Sequence, residues 1–144
     1  MAAMELLCHL VGMNLSKLTK EEILLLEAEL FAHICEELKE VFRKQHRDYF
    51  RLMKFTIEKE NTMLEANFVR LIIRDILSTE EYNLQGLACY TDTHEDVVQE
   101  VIDGRNTSPS ATLLRRSIDL HRSVRRDLYH SIIKKIATKY LAVA

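Results

Sequence analysis

From Thr19 onward apolar residues recur at steps of three and four: Ile23, Leu26, Leu30, Ile34, Leu38 and Phe42 form one stripe, widened by Leu24, Phe31 and Cys35. That period predicts a long amphipathic helix. Thr19-Lys20-Glu21-Glu22 opens it as a capping box, in which the Thr and Glu side chains satisfy each other's backbone N–H groups, with Leu18 and Ile23 placed as a hydrophobic staple. The basic run Arg43 to Arg47 suits the negative end of the helix dipole. Phe50, Met53 and Ile57 extend the helical spacing through residues 49–57. Thr62-Met63-Leu64-Glu65 reads as a second capping box, opening a helix whose inward face is Leu64, Phe68, Leu71, Ile72 and Ile76 and which ends near Ser78 and Thr79.

After Tyr82 the elements shorten. Asn83 is placed to cap a helix over 84–90, Thr91-Asp92-Thr93 reads as a tight turn, and Thr93 is placed to cap a helix from His94 to Asp103 that Gly104 terminates. A polar loop over 105–109 leads to Ser110, the expected cap of a helix through Leu113, Leu114, Ile118 and Leu120 that bends around His121 to Ser123. Val124, Leu128, Ile132, Ile136 and Tyr140 form the stripe of a last helix. The expected fold is all-α: an N-terminal helical region over 1–60 that packs on or dimerises the rest, and a domain over 61–144 with a basic amphipathic C-terminal helix.

The 144 residues, 47% hydrophobic and 29% charged with three Gly and one Pro, suit one compact domain with a helical extension and exclude disordered or collagen-like chains. No run approaches the roughly 18 apolar residues of a membrane span, and Glu5, Lys17, Lys20, Glu21 and Glu22 do not fit a signal peptide, so no membrane role and a cytoplasmic location are expected. Cys8, Cys35 and Cys89 are odd in number and irregularly spaced, which favours reduced thiols over a disulfide framework. Residues 1–103 carry 11 Lys+Arg against 20 Asp+Glu, whereas residues 104–144 carry 9 against 2. A basic last quarter on an acidic body suits phosphates or an acidic partner.

The helix, three-residue turn and helix closed by Gly in the middle of the chain resemble the helix-turn-helix of lambda-repressor-like domains over about residues 62–122. Leu87-Ala88, Val98, Val101 and Gly104 fall on that family's Leu-Ala pair, inward aliphatics and closing Gly, and Pro109, Leu113, Leu114 and Ile118 continue the likeness. Leu84 stands where the family usually has a phosphate-touching Gln, with Gln85 beside it. Asp92 replaces the turn Gly, and Thr93 a buried aliphatic. The resemblance implies a small transcriptional regulator that binds duplex DNA. His94, Glu95, Asp96, Val97, Gln99 and Glu100 would then face base edges, while Asn83, Gln85, Arg105, Asn106 and Thr107 hold the backbone and Arg125 and Arg126 approach phosphates. Binding as a homodimer on two half-sites is implied as well.

Charge bears on that expectation, because Glu95, Asp96, Glu100 and Asp103 would put carboxylates against a polyanion, and Arg115, Arg116 and Arg122 would have to compensate. The alternative is a protein-interaction module with a degenerate helix-turn-helix. In it the acids complement a helix N-terminus and the arginines pair internally. No zinc-ligand spacing links Cys8, His9, His33, Cys35, His46, His94, His121 or His130, no Gly-rich phosphate loop exists, and no nucleophile has a recognisable base. No enzymatic activity, cofactor or metal is expected.

Overall fold

The computed structural model describes residues 7–10, 12 and 14–141. The fold is all-α, and no strand occurs among the described residues. After a 3₁₀ turn at Leu15–Lys17 come seven α-helices: α1 Lys20–Gln45, α2 Arg47–Leu52, α3 Ile57–Ser78, α4 Leu84–Tyr90, α5 Glu95–Ile102, α6 Ala111–Val124 and α7 Arg126–Ile136. A π-helical turn, Ala137–Leu141, follows α7. No helix among the described residues is long and apolar enough to cross a membrane.

The chain divides into two compact units, residues up to Val41 together with those from Asp127 onward, and Phe42–Arg126. The boundary expected from the sequence lies after residue 60. The pattern there gave no sign that the last helix groups with the first rather than with its neighbours. In the first unit Leu30, Ile34, Cys35 and Leu38 of α1 are buried within the single chain, as are Tyr129, Ile132, Ile133 and Ile136 of α7. The buried Glu37 carboxylate meets Lys135 Nζ at 2.8 Å. Tyr140, expected to continue the last stripe, has a side chain outside the described residues.

The capping box at Thr19 forms as expected: Glu22 N–H donates to Thr19 Oγ1 at 3.1 Å, and Thr19 N–H donates to Glu22 Oε1 at 3.2 Å. Leu24 is exposed and does not widen the buried stripe. The second box does not form. Thr56 caps α3 instead, accepting from Lys59 N–H at 3.2 Å, and Thr62 lies inside the helix with its hydroxyl donating to Glu58 O. After the exposed Ile57, residues Glu58 to Thr62 of α3 are polar, so the buried apolar face begins well after the helix does. The continuous helix expected over 49–57 ends at Leu52, and only Phe50 of the Phe50, Met53, Ile57 series is buried.

In the Phe42–Arg126 unit α3 lies against both α5 and α6, most extensively α6, burying Leu64, Phe68, Ile72, Ile73 and Ile76 on one side and Leu113, Ile118 and Leu120 on the other. Ser110 caps α6 as expected, accepting from Leu113 N–H at 3.1 Å. The bend expected at His121–Ser123 falls later, at Arg125 (φ −123, ψ 52), because α6 stays helical through Val124.

Candidate functional site

The two short helices α4 and α5 pack on each other, with Leu87, Ala88, Val98 and Val101 buried at their crossing. Ala88 is small enough for a close approach of backbones. Asn83 caps α4, its side chain accepting from Gly86 N–H at 2.7 Å. The cap of α5 is His94 and not Thr93: its Nδ1 accepts from Asp96 N–H at 3.2 Å, and Thr93 donates to Thr91 O.

Both helices end in the same way. Asp92 takes φ +49 after α4, with its N–H on Cys89 O and Thr93 N–H on Ala88 O. Gly104 takes φ +78 after α5, with its N–H on Val101 O and Arg105 N–H on Glu100 O. Each is a Schellman closure, which requires a left-handed residue at its centre. A Cβ at position 104 would come within 3.3 Å of the Arg70 guanidinium, so glycine suits both the backbone and the neighbour. Thr91, at the turn between the two helices, is buried and donates to Leu87 O at 2.9 Å.

Two arginines hold the carbonyl ends of this pair. Arg70 of α3 donates from Nε to Ile102 O at 2.8 Å, and Arg116 of α6 donates to Thr91 O at 2.9 Å with Asp92 at 3.8 Å. A cation at a helix C-terminus satisfies unpaired carbonyls and the negative dipole end together. These contacts span 32 and 25 residues, beyond the reach of local spacing.

The outward side of α5 carries His94, Glu95, Asp96 and Val97, all exposed, and the half-exposed Gln99 and Glu100. Residues 80–104 contain seven acids and no Lys or Arg. Gln99 and Arg105 both donate to Asp103, at 2.8 and 3.0 Å, and hold its carboxyl below the usual range. Between the two helices lies an open cleft of about 390 Å³ lined by Gln85, Ala88, Cys89, Asp92, Thr93, His94 and Glu95. In the loop that follows, Asn106 accepts from Ser108 N–H at 3.0 Å, and Arg105 and Thr107 are exposed.

Arg125 and Arg126 part company. Arg126 is exposed, whereas Arg125 grips Asp75 of α3 from Nε at 3.0 Å and Nη2 at 3.1 Å. His121, with 0% of its side chain exposed, meets the same carboxylate at 2.6 Å. The His121 hydrogen bond first, then Arg125, brings the Asp75 carboxyl down from 3.8 to about 2. Sequence reasoning missed this cluster, whose members lie 46 and 50 residues apart.

No protein-family model, curated protein or solved structure matches this chain. The site is therefore read from its own chemistry. Among the described residues no group of three or more His, Cys, Asp or Glu could hold a metal ion. Burial pushes the Cys8 thiol up, away from the reactive thiolate.

Proposed function

We propose that the chain is a non-enzymatic, DNA-binding regulator that reads duplex DNA with α5, held by α4 in a repressor-like layout. The observation that carries this reading is the partition of α5: Val98 and Val101 are sealed against α4 while His94, Glu95, Asp96 and Val97 all face solvent. A helix anchored by one face, with its N-terminal residues displayed on the other, is the arrangement that places side chains on base edges in a major groove. Carboxylates there accept from cytosine N4, and Gln99 suits adenine.

Affinity on this reading comes chiefly from base contacts, because the acidic face forgoes most of the phosphate attraction. Arg115 and Arg126 are exposed, as is Arg105, which meets Asp103 of its own chain at 3.0 Å. Arg125 already serves Asp75. Selection of bound duplexes from a random pool tests the proposal: an enriched sequence is expected, with a shallow salt dependence that Arg105→Ala reduces by about one unit of slope. A pool without enrichment would contradict it.

A second reading is favoured by the run of seven acids without a cation and by the arginines bound to their own chain. On it, the same face docks a basic protein segment. A synthetic lysine-rich peptide would then bind the wild type and lose affinity for Glu95→Gln/Asp96→Asn.

A further inference from the structure

Opposite in charge to the helix pair is the corner where α2 gives way to α3. Tyr49, Leu52 and Met53 stand at i, i+3 and i+4 and so share one face of α2, while Phe50 turns inward. Ile57 opens α3 beside them. Leu52 is 80% exposed and Ile57 73%, as protruding side chains are. They stand on a rigid base, since Phe55 stacks on the buried Phe50 at 5.9 Å and meets Tyr49 edge to face at 6.0 Å.

The turn between them is another Schellman closure, with Lys54 at φ +54, its N–H on Arg51 O, and Phe55 N–H on Phe50 O. A lysine where glycine is the easier residue keeps a cation at the tip. Arg47, Arg51 and Lys59 are exposed around it, and residues 43–59 carry six Lys+Arg against two Asp+Glu.

We infer that this basic apolar corner of one copy of the chain docks into the acidic cleft between α4 and α5 of a second copy. Charge complementarity selects the occupant: the corner is a net cation around protruding aliphatics, and the cleft is an open recess bordered by Asp92 and Glu95. Tyr90 and Val97, both exposed, continue the apolar area beside it. Its volume of about 390 Å³ is ample for a Leu or Ile side chain. Corner and cleft are different patches, so each copy offers both halves of the contact, which either runs head to tail or closes reciprocally on one partner. It also covers Gln85, His94 and Glu95, so self-assembly and any other use of that face exclude one another. The inference stands apart from what α5 reads, DNA or a basic partner.

Sedimentation velocity of the full chain over a wide concentration range tests it. The wild type is expected to rise above its 16.8 kDa with concentration. Leu52→Asp/Ile57→Asp and Asp92→Asn/Glu95→Lys are each expected to lose that rise while keeping their helicity in circular dichroism. The two variants mixed in equal amounts should then assemble to twice the single-chain mass and no further, because one retains only a cleft and the other only a corner. A wild type that stays at 16.8 kDa throughout would overturn the inference. So would association that survives in either variant, or a mixture that does not assemble. A corner variant that changes no mass but loses binding to phosphatidylserine vesicles would also overturn it, assigning the corner to a lipid surface.

Discussion

Two places in the Phe42–Arg126 unit hold their charges in opposite ways. Where α3 and α6 meet, Asp75 is held by the wholly buried His121 and by Arg125, which clamps both carboxylate oxygens. On the helix pair the acids Glu95 and Asp96 stand in solvent, with no cation between residues 80 and 104. The first arrangement closes the fold. The second leaves a charged face in contact with water. Counted over this unit, 14 Lys+Arg face 13 Asp+Glu, so the asymmetry between the two ends of the sequence nearly vanishes in the folded unit. A basic stretch in a sequence is a pool of cations, and the fold decides which remain available.

The largest effect is expected where charge is forced into the core. Leu30 and Ile34 are buried within the single chain, and Ile34→Glu should cost several kcal/mol, enough to remove most of the helical signal in circular dichroism. Removing the existing buried charge comes next. Asp75→Ala leaves His121 without its carboxylate, and a loss of about 2–3 kcal/mol in urea denaturation is expected, below the figure of 3–5 for a wholly buried pair because Arg125 keeps contact with water.

The same carboxylate gives a pH signature. A folded pKa held at about 2 against an ordinary 3.8 stabilises the fold above pH 4, and that stability disappears as pH falls through the interval between the two values. Asp75→Asn should therefore flatten the denaturation midpoint's pH dependence between about pH 4 and 2, relative to the wild type.

Smaller still is the expected effect at the ends of the helix pair. Arg116→Ala should cost about 1 kcal/mol by leaving the Thr91 carbonyl with the Thr93 hydroxyl alone, with the helix content unchanged. Glu95→Gln alone should cost about 0.3–1 kcal/mol through the lost dipole interaction, the least of the series.

The reading from sequence succeeded where causes are local. The box at Thr19, the caps at Asn83 and Ser110 and the closure at Gly104 depend on residues a few positions apart, and all of them form. The inward set Leu87, Ala88, Val98 and Val101 was legible because spacing alone puts those residues on one side of each helix. Thr62 misled because a capping box inside a polar helical stretch resembles a start, while the real cap, Thr56, precedes residues with no apolar period. The break at Lys54 was hidden because a left-handed lysine gives no signal of the kind glycine gives. Arg70, Arg116 and the Asp75 cluster were out of reach for a different reason, since their partners lie 25 to 50 residues away and only tertiary packing brings them together. For the candidate site, spacing located the two short helices, and only the fold revealed which arginines are already engaged.

Fluorescence titration of a generic duplex with wild type and Glu95→Gln/Asp96→Asn at two salt concentrations tests the proposal that the outward face of α5 meets DNA. The account predicts weak binding by the wild type and tighter, more salt-dependent binding by the double variant, as repulsion from two carboxylates is removed. Identical curves for the two proteins at both salt concentrations would contradict it.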